Sequence, residues 1–597
     1  MPLLVRNAHK SGRQCGFCRF TLRPQTCVTY RFTRQLICPT RPGKNSEAFP
    51  GLSCTIRLMT NRTFKSGESR EQVCLLPRRI EDYVASDNLV RAIDGFVNAL
   101  DLAKLGFRHT NRGVGAGQPP YDPSDLLKLY LYGYINQIRS SRRLAREAGR
   151  NLELIWLLKN LQPGYRTIAN FRKENWAALK AVNRSFVLVM REFDLVGGTL
   201  VAIDGALFHG NASKGSIFTR KKLAKQIAEL DKEIEAYGKS LDANDTEEAK
   251  QRTGGPGDGS NGDSGDIGER VKELMARRHR AQADLKELET GDKGQLSKTD
   301  PDARLLSKGD QTIAGYNVQS VVDDKHMLIV ESEVDNRSDA GHLHEMSKAA
   351  KDALDAKALW VLADAGYYNS EDLKACEDDG ITAYVPLQHG NDKLEKQGRF
   401  SRKDFSYDAA ADAYRCPAGQ LLNTTKKPWK NTSGRVETRY VNSKTTCDAC
   451  PLRTRCLTPE AKIRTIFRWE HEDVLDRHRT RMRSEEADQL MVRRFAMVEH
   501  PFGTLKCRAG YRHFLVRGFD KVRGEWSLMA LCYNFTRVLN ILGFERFMAY
   551  MAEKGPCALR QYALAAVLDC TKFVLGAFCA YISSRLAICR LGPAPAR

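Results

Sequence analysis

Two short runs, Thr199-Leu-Val-Ala-Ile-Asp204 and Ala358-Leu-Trp-Val-Leu-Ala-Asp364, constrain the fold of this chain more than any other feature. Each is apolar until it closes on an aspartate. Runs of this length are expected of strands buried on both faces. An acid is rarely placed there unless it is paired or holds a cation. Taken singly, either aspartate reads equally well as a strand-end residue capping the next turn. The matching contexts, Val-Ala-Ile-Asp-Gly and Val-Leu-Ala-Asp-Ala-Gly, read together as two carboxylates at the rim of one sheet.

The surrounding pattern supplies that sheet. Gly315 to Val321 and Met327 to Val334 are expected as strands, with Asp323-Asp324 as the turn of a hairpin. A helix over His342 to Leu354, the run ending at Asp364, a helix near Ser370 to Asp379 and a strand from Ile381 to Pro386 follow. Hairpin strands first, then alternating helix and strand, predict an α/β fold with a mixed sheet covered by helices.

Three other regions depart from this pattern. Upstream, Asp122-Pro123-Ser124 opens a helix whose apolar face runs from Leu126 to Ile138. Helices opened by Ser140-Ser141, then over Leu152 to Leu158 and from Thr167 through Phe171, complete an all-α domain. Arg142, Arg143 and Arg146 on the second helix suit DNA binding in a helix-turn-helix manner. The same residues suit an ordinary bundle with solvated arginines. Between the two aspartates, Leu223, Ile227, Leu230, Ile234 and Tyr237 follow heptad spacing. Val271, Leu274, Ala281, Leu285 and Leu288 keep the register across a flexible Gly/Asp/Ser-rich stretch, Gly254 to Gly268. An antiparallel helical hairpin is expected there. Finally, Cys416, the Cys447-Asp-Ala-Cys450 pair and Cys456 offer four thiolates, one pair on a CxxC turn, as suits a closed structural Zn²⁺ site. Four free thiols are the alternative.

Length and charge narrow the partners. A chain of 597 residues exceeds one core. The 94 Lys and Arg outnumber the 72 Asp and Glu, giving a net charge of +22, which favours nucleic acid over a merely solvated basic surface. The 17 cysteines are too unevenly spread for a secreted disulfide scaffold, and no leader peptide is evident. The apolar stretch Tyr562 to Leu591 carries Asp569, Lys572 and Arg585, against a membrane span. A cytoplasmic, nucleoid-associated protein is expected.

The resulting division is as follows. Residues 1–58, with ten Lys and Arg, one acid and a lone CxxC (Cys15, Cys18), form a disordered basic tail, and Met59 is an alternative start. Residues 59–195 form the helical DNA-binding domain. Residues 196–215, 305–395 and 485–550 are expected to form the mixed-sheet core, interrupted by a coiled-coil hairpin (216–304) and a zinc-ribbon-like insertion (396–484). Residues 551–597 form a tail.

A third acid stands in Val498-Glu499-His-Pro-Phe-Gly-Thr-Leu-Lys506. Lys506 lies about two helical turns beyond Glu499. If the helix survives Pro501, both side chains share one face.

With these motifs in view, the sequence resembles the DDE transposases of bacterial insertion sequences over residues 60 to 545. The likeness is carried by Tyr121-Asp-Pro-Ser-Asp-Leu-Leu-Lys-Leu-Tyr-Leu-Tyr-Gly-Tyr, Arg139-Ser-Ser-Arg-Arg-Leu, Thr299-Asp-Pro-Asp-Ala-Arg, Gly315-Tyr-Asn-Val-Gln, Ala363-Asp-Ala-Gly-Tyr and, most specifically, Glu499 through Lys506. In those relatives a tyrosine and an arginine precede the glutamate. Here the arginine is displaced by one position, to Arg494, and no tyrosine matches. The resemblance implies a ribonuclease H-like core in which Asp204, Asp364 and Glu499 hold two Mg²⁺ or Mn²⁺ ions. It also implies Lys506 at the reacting phosphate, Arg494 on DNA, and a homodimer or higher oligomer acting on element ends and target DNA. The alternatives are a transposase-derived protein that binds without cutting, and a nuclease with the same core.

Overall fold

The computed structural model describes residues 79–553, apart from 111–118, 252–263, 292–293, 388–393, 395 and 432–433. The expected basic tail (1–58) and the apolar stretch 562–591 lie outside the described residues. No helix among the described residues is long and apolar enough to cross a membrane.

Among the described residues six α-helices come first: α1 (Leu89–Ala99), α2 (Pro123–Ile135), α3 (Ser141–Ala148), α4 (Leu152–Leu157), α5 (Tyr165–Glu174) and α6 (Trp176–Glu192). Their starts follow from local chemistry. Asp122 caps α2, accepting from the Ser124 amide at 2.8 Å, and Pro123 occupies the first turn, where its missing N–H costs nothing. Asn151 caps α4 in the same way.

A six-stranded mixed sheet follows. β1 (Leu200–His209) is flanked by the antiparallel β5 (Gln311–Asp323) on one edge and by the parallel β7 (Leu359–Leu362) on the other. β8 (Ile381–Tyr384) pairs parallel with β7. β4 (Arg304–Lys308) and β6 (Ile329–Asp335) both pair antiparallel with β5. β1 does not stop at Asp204, as its apolar run predicts, but continues five residues further. The rim is made by its neighbour instead: β7 pairs only with Leu200 to Ala202, so β1 no longer has that partner at Asp204. The predicted hairpin of β5 and β6 is present, but its turn falls later. Asp323 is buried and accepts from the Gly197, Gly198 and Lys325 amides, so the chain reverses over residues 324–328.

Between β1 and β4 the chain leaves the sheet through β2 (Ile217–Thr219), α7 (Arg220–Gln251), α8 (Ser264–Thr290) and β3 (Gln295–Ser297). Leu223, Ala281, Leu285 and Leu288 meet between the two helices, and β2 pairs with β3 at the base. The heptad reading of a hairpin therefore matches. Residues 264–268 of the expected flexible loop are already helical.

α9 (Leu343–Leu354) packs on one sheet face beside β6, and α10 (Ser370–Asp378) links β7 to β8. A five-stranded antiparallel sheet follows: β9 (Ser406–Asp408), β10 (Ala413–Arg415), β11 (Leu421–Lys430), β12 (Val436–Val441) and β13 (Thr465–Trp469). The next helix, α11 (Glu472–Arg481), falls within the stretch read as insertion, yet it packs on α10 and β8. Its His478 ring meets the Val385 carbonyl at 2.9 Å, and Arg481 donates to the Ala383 carbonyl.

Two long helices pack on opposite faces of the sheet. α12 (Glu485–Gly503) lays Ala487, Met497 and Val498 against Leu200, Ala202, Leu362 and Tyr384 of the sheet. Pro501 lies inside α12 without ending it, and a π-helical turn (Thr504–Arg508) follows. α13 (Phe519–Leu542) lies on the opposite face, packed on α2, α5, α6 and β6. Its Glu525 is wholly buried. Arg139 lies 3.2 Å from it and Arg172 3.7 Å, the Tyr134 hydroxyl donates to it at 3.0 Å, and the Leu515 amide donates at 2.9 Å. Tyr134 of α2, Arg139 of the α2–α3 connection, Arg172 of α5 and Leu515, just before α13, thus share a single carboxylate. Asp300 of the Thr299-Asp-Pro motif has a similar tie, accepting from the Tyr316 hydroxyl at 2.8 Å and the Gly518 amide at 3.0 Å.

Candidate active site

Asp204 and Asp364 arrive from neighbouring strands. Asp204 stands on β1 just past the end of the β7 ladder, and Asp364 is two residues beyond β7. One Asp364 oxygen caps the turn Ala365–Tyr367, accepting from the Gly366 amide at 2.8 Å. Its other oxygen faces the site, 3.7 Å from Lys308 Nζ and 3.6 Å from Arg494 Nη2. The capping and site roles that compete in the sequence are divided between two oxygens of one side chain.

Asp204 Oδ1 meets the same two cations, at 3.2 Å from Lys308 and 3.4 Å from Arg494. Arg494 is 5% exposed and lies against the two aspartates, because α12 turns that residue towards the sheet.

A third aspartate joins them that sequence reasoning missed. Asp339, in the loop after β6, places Oδ2 3.2 Å from the same Lys308 ammonium. Its Oδ1 accepts from the Asn317 and Gln319 amides, each at 2.8 Å. The Tyr367 hydroxyl in turn donates to the Gln319 carbonyl oxygen. Gly205 makes the room: a Cβ there would lie 2.1 Å from Asp339 Oδ1 and 2.6 Å from Gln319 Nε2.

The charges respond to burial and to one another. Burial pushes the Asp204 carboxyl above its usual range, Lys308 and Arg494 pull it down, and Asp364 adds to the rise. For Asp339, burial is outweighed by Lys308 and the two amides, and its carboxyl is held below the ordinary range. Burial likewise opposes the Lys308 charge, but Asp204, Asp339 and Asp364 together hold its ammonium above the usual value.

Glu499 and Lys506 line the same cleft as Asp204 and Lys308. Glu499 is exposed. Lys506 is half-buried, with burial pushing its ammonium down, on the π-helical turn that follows α12. The predicted two-turn relation of Glu499 to Lys506 therefore survives Pro501.

Away from the cleft, Arg142, Arg143 and Arg146 are exposed on α3 while Leu144 and Ala148 are buried beneath them. The four cysteines gather in the five-stranded region. Cys416 opens the turn between β10 and β11, where the Gly419 amide donates to its carbonyl at 2.8 Å. Cys447 and Cys450 bracket the end of the short helix Lys444–Asp448, and Cys456 ends the turn Arg453–Cys456. Burial raises the Cys456 thiol, Arg464 opposes this, and Cys447, Cys416 and Cys450 each add to the rise, so the four thiols are electrostatic neighbours. Among the described residues, no group of three or more His, Cys, Asp or Glu side chains is already drawn into metal-binding geometry.

Comparison with known proteins adds two matches. Residues 415–539 match a family model described as a transposase DDE domain, and residues 78–174 match one described as a transposase domain (DUF772). No curated protein matches the sequence. Among solved structures, a piggyBac transposase synaptic complex with hairpin DNA aligns over 82% of this chain and 81% of that one, at 9% identity and a TM-score of 0.26. A likeness that low carries no argument.

Proposed function

Because the chain belongs with the DDE transposases of insertion-sequence type, we propose that it cleaves DNA at the ends of a mobile element and joins the freed 3′ ends to target DNA. The observation that carries this reading is the meeting of Asp204 and Asp364, from separate strands, on shared positive charge in the cleft lined by Glu499. The order of the mixed sheet, with β5 antiparallel to β1 and β7 and β8 parallel to it, supports a ribonuclease H-like core.

The residues fit hard divalent cations. They offer carboxylate oxygens, and the ammonium of Lys308 already stands between them as a positive charge. Asp204, Asp364 and Glu499 would hold two Mg²⁺ or Mn²⁺ ions. When bound, such ions supply the Lewis acidity that phosphodiester cleavage needs. The chain's own residues supply the rest. Lys506 fixes a phosphate beside Glu499 as a point charge. Arg142, Arg143 and Arg146 hold DNA on the outer face of α3. Water attacks first, breaking the bond to the element's 3′ oxygen and freeing a 3′-hydroxyl. That hydroxyl then attacks target DNA, forming one phosphodiester as another breaks, so no nucleotide hydrolysis is required. Two copies acting on paired ends suit this chemistry.

A second metal is proposed for the insertion. Cys416, Cys447, Cys450 and Cys456 suit one tetrahedral Zn²⁺, closed by four thiolates and therefore structural.

The test uses the element's own end sequences with Mg²⁺. Asp204→Ala, Asp364→Ala and Glu499→Ala are each expected to abolish cleavage and joining while end binding persists, since affinity comes mainly from cations. Near wild-type strand transfer by any of the three removes that residue from the site. Cleavage without joining by the wild type would make the protein a nuclease with the same core. Binding without either would make it an inactive DNA-binding relative.

A further inference from the structure

Three aspartates, not two, converge on Lys308. Its Nζ lies 3.2 Å from Asp204 Oδ1, 3.2 Å from Asp339 Oδ2 and 3.7 Å from Asp364 Oδ2. The three supports are fixed: one acid is on a central strand, one caps a turn, and Asp339 is clamped through Oδ1 by two buried amides. The lysine is the adaptable member. Its side chain is 41% exposed, on a four-carbon stem at the end of β4.

The polar groups behind the cluster are not all used. Ser320, wholly buried, stands opposite Asp204 in the β1–β5 ladder, and its hydroxyl has no hydrogen-bond partner. Directly paired residues of an antiparallel ladder share one face, so this hydroxyl lies on the Asp204 side. Asn317 Oδ1 is also buried without a donor, but on the opposite, Gly205 face of the ladder, beside Asp339. A buried oxygen left unpaired calls for a cation or an ordered water.

We propose that Asp339 is a third aspartate of the cation site, an oxygen ligand beside Asp204 and Asp364, and that the Lys308 ammonium occupies the position a divalent cation takes. The inference rests on the reading of the cleft given above. It adds a ligand that is absent from the Asp204, Asp364 and Glu499 set, and a resident competitor for the metal.

Mn²⁺ binding to the full chain without DNA, followed by electron paramagnetic resonance of the free ion, tests this apart from activity. Asp339→Asn keeps an oxygen for the two amides but removes the charge. It is expected to weaken Mn²⁺ binding at least about tenfold, as loss of a ligand or its support does, and Asp204→Asn likewise. Lys308→Met is expected to tighten binding. Absence of Mn²⁺ binding by the wild type would sink the metal reading and this inference together. If Asp204→Asn weakens binding while Asp339→Asn binds as the wild type does, the metal reading stands and Asp339 is no ligand. Thermal melting without metal checks that the variants fold. Should Asp339→Asn not fold, Lys308→Met decides alone: an affinity unchanged from wild type overturns the inference.

Discussion

The Lys506 ammonium lies 4.6 Å from the centre of the Phe208 ring and 5.8 Å from that of Phe502. A cation set against aromatic faces is held by their quadrupoles. The rings therefore fix one end of a flexible side chain beside Glu499. Lys506→Ala is expected to slow cleavage on the order of 100-fold, the effect of removing one preorganised charge-stabilising donor. Lys506→Arg is expected to restore only part of it, because a planar fork does not reproduce a point charge. Single-turnover cleavage of end DNA measures both, and wild-type rates for Lys506→Ala would place the lysine outside the reaction.

The exposed arginines of α3 predict a different signature. Replacing Arg142, Arg143 and Arg146 with alanine is expected to weaken end binding and to flatten its salt dependence, by roughly 0.9 in log–log slope for each phosphate that is no longer neutralised. Leu144 and Ala148 keep the helix seated, so thermal stability should hold. Titrations at several salt concentrations read this directly. An unchanged slope would return α3 to an ordinary solvated helix.

Zinc in the insertion predicts about one metal per purified chain, measurable by elemental analysis of reduced protein. Stripping it, or substituting Cys447→Ser, is expected to open the five-stranded region to proteolysis before the acidic cleft is affected. Folded, reduced protein without zinc would leave four free thiols as the correct description.

Glu525 carries the sharpest prediction for stability. Arg139 and Arg172 are each at most 9% exposed where they meet it. Glu525→Ala leaves both buried charges uncompensated and is expected to cost about 3–5 kcal/mol, read by chemical denaturation. A loss below about 1 kcal/mol, the scale of a surface pair, would show the cluster to be solvated.

The helices and strands are legible in the sequence because their patterns are local. The Asp122 cap, the heptads of α7 and α8 and the two apolar runs each identify an element within a few turns of chain. Site membership is legible where an acid interrupts an apolar run, as at Asp204 and Asp364. Asp339 gives no such signal. It stands in Asn336-Arg-Ser-Asp-Ala-Gly341, where an aspartate reads as turn chemistry, and its partners Asn317 and Gln319 stand 22 and 20 residues upstream on β5. Lys308-Gly-Asp310 likewise reads as the turn of a hairpin. The contact of Arg494 with the two aspartates is not legible, because the motif gives its spacing from Glu499 but not the face of α12 it occupies. The end of β1 escapes one because strand length there depends on pairing with β5, which continues beyond the apolar run.

The Glu525 junction also has a geometric consequence. Because α2, α5 and α6 pack on α13 and α13 on the sheet, the arginine face of α3 and the acidic cleft belong to one packed body. On the function proposed above, the molecule would work as a calliper. If α3 grips the element end, the distance along the DNA from recognised bases to cut phosphate is a property of the protein and not of a tether. Moving the recognised sequence by half a helical turn would swing the scissile bond to the far side of the duplex, out of reach of the carboxylates.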